Sequence, residues 1–294
     1  MKTVLALALF AIACASILKE SIEHAKKYAS TWYPVENEEE SIFYGMTDDQ
    51  VKSRLNARFT PKFKVRYAQS KLAQESFDAR TAFPGCVGAV RNQGSCGSCW
   101  AFATTEAFAD RICISTANKI IDVLSAQDLV SCEKNCYGCD GGLEAYAWKW
   151  MIKNGVVNET TYPYVSGTTK NSEKCASYPN ALHYHVKAGS VVDEDTVETI
   201  ADLQNEIMAN GPITTGFSVY EDFMSYKEGI YVKTSAKYLG GHAVKIIGWG
   251  KENGMDFWIV QNSWGSAWGE SGFFRIKMGQ CEFEDHYAWG KYQQ

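Results

Sequence analysis

The cysteines constrain this sequence more than any other feature. There are ten of them in 294 residues, and none lies between Cys14 and Cys86. A count this high indicates either an oxidising compartment, where cysteines form disulfides, or metal sites built from thiolates. The compartment therefore has to be inferred from other parts of the chain.

The N-terminus predicts export through the secretory pathway. Lys2 provides a positive start, residues 4–13 form an uninterrupted apolar run, and residues 13–15 are a small-x-small cleavage site. A membrane anchor is the alternative, but spanning a bilayer takes about 20 apolar residues, and Lys19 closes the run. We predict that residues 1–15 are a removed signal peptide, that no membrane span follows, and that Asn158 is a glycosylation candidate.

A charge asymmetry marks a second boundary. Residues 16–74 carry a net charge of +2 and residues 75–294 a net charge of −8, with Lys2 supplying the remaining charge. The acidic balance gives no electrostatic footprint for nucleic acid. From composition, the small cysteine-free segment is equally well a detachable cover or an N-terminal subdomain. It contains a capping box, which predicts a helix start, at residues 47–50.

Cys99 lies at the predicted start of a helix. The Gly- and Ser-rich residues 94–98 disfavour a helix, whereas residues 101–112 have the alanines and phenylalanines of a helix packed on most sides. The first turn of a helix exposes N–H groups and a partial positive charge, which favour thiolate over thiol. Because the thiolate is the nucleophilic form, this position predicts a reactive cysteine.

The same cysteines allow a second interpretation. Cys96 with Cys99, and Cys136 with Cys139, form Cys-x-x-Cys pairs, which are found in zinc sites and in redox dithiols. A zinc ribbon separates its pairs by about 15–20 residues, fewer than lie between Cys99 and Cys136, and no βαβ pattern precedes the pairs. Secretion also disfavours both uses, so a metal or redox site is the less favoured hypothesis.

His242 and Asn262 are predicted to meet at one end of a hairpin. An apolar run follows His242, Asn253-Gly254 is a turn signal, and a second apolar run ends near Asn262. With the turn centred just before Asn253, antiparallel pairing places His242 opposite Ser263. A histidine at the start of a strand is usually structural, but one beside an amide is a candidate oriented base.

Together these residues predict a Cys–His–Asn catalytic arrangement. Cys99 is the nucleophile, His242 is its base, and Asn262 orients the imidazole. Trp264 covers the hydrogen bond between His242 and Asn262, and the Gln93 side chain with the Cys99 N–H stabilises an oxyanion. No step of this chemistry needs a metal or any other cofactor.

These motifs resemble the papain family of cysteine proteases. Residues 96–100, Cys-Gly-Ser-Cys-Trp, match a local form known from that family, and His242 and Asn262 follow 143 and 163 positions after Cys99. The resemblance spans roughly residues 75–294. It implies an α+β, papain-like two-domain fold. A helical half (roughly 90–180), whose central helix carries Cys99, packs against a β-barrel-like half (roughly 185–285) that carries His242 and Asn262, with the cleft between them.

Within that family, the sequence is similar to the cathepsin B branch in residues 76–80, 110–114, 216–220 and 281–284. The resemblance implies a propeptide of residues 16–72 that blocks the cleft, followed by the mature peptidase, 73–294. It also implies the disulfides Cys86–Cys113, Cys96–Cys139 and Cys132–Cys175, and it leaves Cys136 and Cys281 without partners.

Two features depart from that branch. Its histidine-bearing occluding loop at the far end of the cleft has no counterpart here, because no histidine lies between Tyr162 and Cys175. This predicts an endopeptidase with little removal of C-terminal dipeptides. Asp140 stands where the family usually has Asn, with no predicted consequence.

The resemblance also implies how a substrate binds. Gly141 and Gly142 form an edge that hydrogen-bonds an extended peptide, and Trp264 lies at the substrate site. Gly216, Ala243 and Glu284 line the pocket for P2, the second side chain before the cut bond. A carboxylate at the bottom of an apolar pocket accepts Arg as well as large apolar side chains. The alternative for Glu284 is a solvated surface charge.

The expected partners are peptide and protein substrates and the chain's own propeptide, which acts as an intramolecular inhibitor. No nucleic acid, membrane or second subunit is expected. The predicted location is the secretory pathway, leading to a lysosome- or vacuole-like acidic compartment or to the outside of the cell. Acidification is expected to weaken the attraction between propeptide and enzyme and so to cause autoactivation. An inactive extracellular binding module is the remaining alternative, although such relatives usually lack the nucleophile.

Overall fold

The computed structural model describes residues 16–59, 74–193 and 197–294. The predicted signal peptide, residues 1–15, and the end of the predicted propeptide lie outside the described residues. The described α-helices are α1 (Ile17–Tyr28), α2 (Asp48–Lys52), α3 (Ala79–Ala82), α4 (Cys99–Ser115), α5 (Ala126–Cys132), α6 (Glu144–Lys153), α7 (Ser166–Thr169) and α8 (Ile200–Asn210). Short 3-10 turns occupy Glu38–Glu40, Gly138–Asp140 and Glu221–Ser225.

The strands pair into one largely antiparallel sheet. They are β1 (Trp32–Pro34), β2 (Phe77–Asp78), β3 (Val192–Asp193), β4 (Ile213–Tyr220), β5 (Tyr226–Tyr231), β6 (Tyr238–Glu252), β7 (Met255–Gln261), β8 (Phe273–Lys277) and β9 (His286–Trp289). Their order across the sheet is β1-β5-β8-β7-β6-β4-β9-β3, β2 pairs with β6, and β5 runs parallel to β8. The long central strand β6 therefore has partners on both sides.

Helix α4 is the central helix that the sequence predicts, and it begins at Cys99. Nearly all of its side chains are buried, in keeping with apolar residues on most of its faces. It ends at Ser115, after which Ala117 and Asn118 both adopt positive φ angles that no helix can continue. No side chain caps its N-terminus. The Ala101 N–H donates to the Ser98 carbonyl at 2.9 Å, and the Trp100 N–H interacts with the Cys99 thiol.

The hydrophobic core has two main parts, one on each side of the cleft. One surrounds α4 and includes Trp100, Phe108 and Trp148. The other lies on β4, β6, β7 and β8 and includes Phe217 and Trp258. This division matches the predicted α+β, papain-like architecture. Each end of residues 74–294 packs against the opposite half. Strand β2, near the start, pairs with β6 in the β half, and Tyr292, near the end, packs against the helical half.

Residues 16–59, called the cover here, pack on the β half and lead into the cleft. Helix α1 buries Ile17, Leu18 and Ile22 in the core of the β half, and β1 adds a strand to the edge of the sheet beside β5. Helix α2 starts with the predicted capping box, in which the side chains of Thr47 and Gln50 each accept a hydrogen bond from the other residue's backbone N–H. Beyond α2 the chain leads into the cleft.

Three disulfides tie the helical half together: Cys86–Cys113, Cys96–Cys139 and Cys132–Cys175. These are the three pairs that the resemblance implies. The remaining described cysteines, Cys99, Cys136 and Cys281, are free and buried. Because Cys96 bonds to Cys139, neither Cys-x-x-Cys motif is a dithiol pair of its own, which removes the basis of the redox interpretation.

Candidate active site

His242 and Asn262 are joined by a short hydrogen bond, as the hairpin argument predicts. His242 Nε2 lies 2.7 Å from Asn262 Oδ1, and both residues are fully buried. Asn262 Oδ1 also accepts from the Ser263 backbone N–H at 2.8 Å, which identifies it as the amide oxygen. Since Oδ1 can only accept, Nε2 carries the proton, and Nδ1 is left as the nitrogen that can act as a base.

The register of the hairpin differs slightly from the prediction. The turn is centred between Asn253 and Gly254, both with positive φ, one residue later than predicted. A bulge between Ile246 and Gly248 then shifts the pairing back by one residue before the strands reach the cleft. The bulge partly offsets the late turn, so His242 and Asn262 still meet.

Trp264 packs against the imidazole of His242. The ring centroids are 4.6 Å apart, and Trp264 is almost fully buried. The indole thus lies beside the imidazole that bonds to Asn262, and its predicted role of covering that hydrogen bond stays a prediction. Trp264 is contacted in turn by Phe43 of the cover, with ring centroids 5.3 Å apart.

Gln93 is fixed so that its amide N–H faces the cleft. Its Oε1 accepts from Ser263 Oγ at 2.8 Å, which leaves Nε2 as the donor. Nε2 donates to the carbonyl of Cys96 at 2.9 Å and to the carbonyl of Arg54, in the cover, at 3.2 Å. A carbonyl oxygen of the cover thus lies where the predicted oxyanion donor can reach it.

The covered site holds both titrating groups in their neutral forms. Burial raises the pKa of Cys99 to about 12, opposed by a hydrogen bond from the Ala243 backbone N–H. Burial also lowers the pKa of His242 to about 4, although its hydrogen bond to Asn262 acts in the opposite direction. Both shifts come from removing water, since a dry site disfavours each charged form.

The segment 54–59 of the cover, called the arm here, occupies the cleft. The Ala57 N–H donates to the Gly241 carbonyl and the Arg58 N–H donates to the Gly142 carbonyl, each at 3.0 Å. Gly142 thus accepts a backbone hydrogen bond from the arm, and its predicted role in binding a substrate stays a prediction. Gly141 has a φ of 105°, and a Cβ there would lie 2.0 Å from the Asn56 carbonyl oxygen, so only glycine lets the arm approach.

Residues 73–290 match the model of the papain family cysteine proteases. The chain belongs to that family. A cathepsin B-like cysteine proteinase of Caenorhabditis elegans is 37% identical over 81% of this chain and 82% of its own length. A gut-specific cysteine proteinase of the same organism is 42% identical over 74% and 73%. The chain is therefore a cysteine peptidase whose relatives are cathepsin B-like.

Solved structures of papain-family proforms share the fold of the whole described chain. A procathepsin B from Trypanosoma congolense has a TM-score of 0.81 and 26% identity, covering 95% of this chain and 99% of that one. A procathepsin L2 from Tenebrio molitor has a TM-score of 0.73 and 28% identity, covering 93% and 88%. Because both are proforms, the similarity extends to the cover as well as to the peptidase.

The pocket predicted for P2 is built by three adjacent strands. Gly216 of β4 pairs with Ala243 of β6 on one side and with His286 of β9 on the other. A Cβ at Gly216 would lie 2.3 Å from the Phe59 ring, so glycine leaves the space that this ring fills. The ring of Phe59 also stacks on His286, with centroids 4.3 Å apart and 12° between the planes.

Glu284 has partners inside the β half. One of its carboxylate oxygens accepts from Trp258 Nε1 and from the Gly279 N–H, each at 2.8 Å, and burial raises its pKa. It is 5% exposed, which contradicts the alternative of a solvated surface charge. Its predicted role in the P2 pocket stays a prediction.

Sequence reasoning missed His286 and Phe59. Their contact depends on the pairing of β4 with β9, strands about 70 residues apart, for which the sequence carries no local signal. The sequence predicts a propeptide that blocks the cleft, but it does not indicate which propeptide residues enter the cleft.

Other sequence predictions concern positions away from the cleft. Asn158 is half-buried and its Nδ2, the atom that would carry a glycan, donates to Asp122 at 3.1 Å. His183 and His185 lie against Gly155 after α6, and Tyr184 between them forms an isolated β-bridge with Val156. Asp140 is exposed, and its carbonyl accepts from the Arg58 guanidinium.

Within residues 16–59, 74–193 and 197–294, no helix combines the length and apolar character that a membrane span requires. In the same part of the chain, no three His, Cys, Asp or Glu side chains lie together as a metal site would need.

Proposed function

We propose that this chain is the zymogen of a thiol endopeptidase, whose mature part, 73–294, cleaves peptide bonds through Cys99 and His242. The observation that carries the proposal is the arm. It lies in the cleft, uses the Gly142 and Gly241 carbonyls as an extended peptide would, and places the Arg54 carbonyl against Gln93. A cleft that fits its own inhibitory segment in this way also fits a peptide substrate.

The proposed reaction begins when the arm leaves and water returns to the site. His242 Nδ1 takes the proton of the Cys99 thiol, and the thiolate attacks the carbonyl carbon of the substrate. The oxyanion that forms accepts from Gln93 Nε2 and from the Cys99 N–H. The imidazolium then gives its proton to the leaving amine, and a water, activated by the same imidazole, hydrolyses the acyl-enzyme. Asn262 keeps the ring oriented through both transfers.

The direction of the arm explains why it is not a substrate. The arm runs, from N- to C-terminus, from Arg54 at the oxyanion donor to Phe59 at the pocket beside Gly216. If that pocket holds P2, a substrate must run the other way, because P2 precedes the bond that is cut. The arm therefore presents its carbonyl carbons to Cys99 in the reverse orientation.

The same proposal includes the P2 preference, the monomeric state and the location of the enzyme. The P2 pocket accepts large apolar side chains, and Arg if Glu284 serves the pocket. The mature enzyme acts on peptides and proteins as a monomer, without a cofactor, nucleic acid or membrane. Its place is an acidic compartment of the secretory route, such as a lysosome or vacuole, or the outside of the cell. Three disulfides fit an oxidising route.

Labelling of the activated chain tests the proposal. The full chain is incubated at acidic pH and then treated with an epoxide or vinyl-sulfone thiol trap, and the labelled residue is located by mass spectrometry. We expect label on Cys99, none in Cys99→Ser, and normal label on Cys99 in Cys136→Ser and Cys281→Ser. Absence of label once the cover has been removed contradicts a peptidase and favours a binding module.

Cleavage of a long peptide distinguishes endopeptidase from dipeptidase action. Between Tyr162 and Cys175 the chain has no histidine that could hold a C-terminal carboxylate at the end of the cleft. We expect internal fragments as first products, and equal rates for substrates with a free or an amidated C-terminus. Sequential release of C-terminal dipeptides, abolished by amidation, would contradict the endopeptidase assignment.

A further inference from the structure

One tyrosine hydroxyl joins the two parts of the predicted oxyanion site. Tyr164, in the loop between α6 and α7, has its hydroxyl 2.8 Å from the Gln93 carbonyl and 2.7 Å from Ser98 Oγ. A carbonyl can only accept, so the phenolic proton goes to Gln93, and the Ser98 hydroxyl donates to the tyrosine oxygen. Gln93 carries the side-chain donor of the proposed oxyanion site. The peptide bond that follows Ser98 carries the other donor, the Cys99 N–H.

Ser98 makes this bond instead of the one that is usual at its position. It is the N-cap residue of α4, and a serine there usually accepts a hydrogen bond from an N–H of the first turn. The Ser98 side chain makes no such bond, is completely buried and donates to Tyr164. A local preference that is overridden next to the nucleophile Cys99 indicates a functional constraint at this position.

Tyr164 is itself held from several sides. Its ring packs edge-on against Phe102 of α4, with centroids 4.7 Å apart and 89° between the planes. Its backbone N–H donates to Glu159 at 2.8 Å, and that carboxylate pairs with Arg91. Burial raises the pKa of the Tyr164 hydroxyl above its usual value, so the hydroxyl stays protonated and remains a donor at acidic and neutral pH.

The chain between Gln93 and Ser98 is a loop that packs closely against the segment after Tyr164. The Ser95 N–H donates to the Gly167 carbonyl at 2.8 Å. A Cβ at Gly167 would lie 2.7 Å from the Gln93 carbonyl oxygen and 2.9 Å from the Tyr164 ring. Glycine is therefore required for this close approach, which brings the tyrosine hydroxyl within reach of both ends of the loop.

We propose that Tyr164 is a positioning residue that sets the spacing of the two oxyanion donors. Its hydroxyl ties the backbone of Gln93 to Ser98, and so holds Gln93 Nε2 and the Cys99 N–H at the separation that one oxygen atom needs. The inference rests on the proposed peptidase function and extends it, because Tyr164 acts through these donors and is not one of them. A preorganised site loses rate when either donor is displaced, even though both donors remain.

The variant Tyr164→Phe tests this role, because it keeps the ring and removes only the hydroxyl. Kinetics are measured on the activated full chain, with rates expressed per Cys99 that a thiol trap can label. We expect kcat to fall about tenfold with KM nearly unchanged, which is less than the loss of about 10²–10³ for removing a donor outright. Tyr162→Phe is the matched control. The Tyr162 hydroxyl donates to the Lys174 carbonyl at 3.1 Å in a separate hydrophobic cluster, so kcat should be unaltered.

Alkylation by iodoacetamide separates positioning of the donors from support of the fold. This reaction attacks no carbonyl and forms no oxyanion, so Cys99 should be alkylated at the same rate in Tyr164→Phe and in the unaltered enzyme. A tyrosine that only stabilised the helical half would slow alkylation together with peptide cleavage. That result would overturn the inference.

A second variant removes the other half of the same link. Ser98→Ala leaves the Tyr164 hydroxyl bonded to Gln93, and we expect a fall of a few-fold in kcat. Combining Ser98→Ala with Tyr164→Phe should give no further fall, because both changes break one connection. Effects that multiply, or a kcat that Tyr164→Phe leaves unchanged, overturn the inference. An enzyme that labels at Cys99 and cleaves peptides regardless of Tyr164→Phe disproves this inference alone, whereas absence of label in the unaltered chain disproves the peptidase.

Discussion

Desolvation decides the chemical state of single residues in the covered site. In the thiolate–imidazolium pair that the proposed mechanism requires, both Cys99 and His242 are charged. Burial under the cover instead raises the pKa of Cys99 and lowers that of His242, so both are neutral near neutral pH. The cover therefore blocks the cleft and also leaves the nucleophile as an unreactive thiol.

The residues of this site differ in how far the sequence predicts them. Cys99 is placed by a local change from glycine-rich loop to helix, and His242 and Asn262 are placed by one hairpin, so short-range patterns are sufficient. Ser263 holds Gln93 from 170 positions away, and His286 depends on the pairing of β4 with β9. Contacts of that kind are set by the packing of distant strands, which no local pattern encodes.

Gln93 provides a test at the scale of one residue. Gln93→Ala removes the Nε2 donor, and we expect kcat to fall by about 10²–10³ with little change in KM, because the donor acts on charge that develops in the transition state. Ser263→Ala is the matched control, since it removes only the hydrogen bond that orients Gln93, and a fall of a few-fold is expected. The measurement is steady-state kinetics on one peptide.

Alkylation of Cys99 by iodoacetamide keeps this test specific. That reaction forms no oxyanion, so its rate should be the same in Gln93→Ala and in the unaltered enzyme. A parallel loss of alkylation would mean that Gln93 supports the thiolate or the fold rather than the oxyanion.

At the scale of elements, a buried ion pair joins the two halves. Lys245 Nζ, on β6, lies 2.6 Å from Asp110 Oδ2, on α4, and both side chains are almost completely buried. Asp110 also accepts from the Gly88 N–H at 2.9 Å. Because α4 carries Cys99 and β6 carries His242, this pair fixes the elements that bring the two residues to the cleft. Sequence patterns predict helix α4 and strand β6, but they do not predict the ion pair that joins them.

Breaking this ion pair should be costly. Asp110→Asn removes the carboxylate that pairs directly with the Lys245 ammonium and leaves only Glu106, whose pKa burial raises to about 7, as a nearby acid. We expect the free energy of unfolding to fall by about 3 kcal/mol. The double variant Asp110→Leu with Lys245→Met removes both charges and should recover most of that loss. The measurement is urea unfolding of the full chain in a Cys99→Ser background, which prevents self-digestion.

A surface pair supplies the control for that experiment. Lys251 and Asp256 are 3.5 Å apart on β6 and β7, and each side chain is about half exposed. Removing either should change the free energy of unfolding by less than about 1 kcal/mol. If Asp110→Asn costs no more than this control, the buried pair does not hold α4 to β6.

At the scale of the whole molecule, the ion pairs between the cover and the enzyme have the opposite polarity to the one that the net charges of the two parts suggest. Net charges of +2 and −8 suggest that a basic cover binds an acidic enzyme. Among the described residues, however, the ion pairs across this boundary place the acid on the cover, as Glu20 with Lys237 at 2.6 Å and Glu40 with Lys227 at 3.2 Å. Net charge describes a field averaged over a surface, whereas these pairs are set by the local docking of α1 and of residues 38–40.

These contacts predict that acid releases the cover. Lys237 lowers the pKa of Glu20 and Lys227 lowers that of Glu40, so their stabilisation of the covered form is present above the usual carboxyl pKa and is lost as the pH falls. His242, with a pKa near 4 when covered, binds a proton more readily when uncovered. Between its ordinary pKa of about 6.5 and 4, protonation of His242 therefore also favours the uncovered form.

The rate of Cys99 labelling in the full chain measures this release as a function of pH. We expect labelling to accelerate as the pH is lowered from about 7 towards 4. Glu20→Gln and Glu40→Gln should each raise the labelling rate at neutral pH and weaken its pH dependence below the usual carboxyl pKa. Glu39→Gln is the control, because Glu39 is an exposed neighbour with no ion pair among the described residues, and it should leave the rate and its pH dependence unchanged. Labelling that is equally fast at pH 7.5 and pH 4.5 would contradict acid release, because each of the three groups shifts the equilibrium in the same direction.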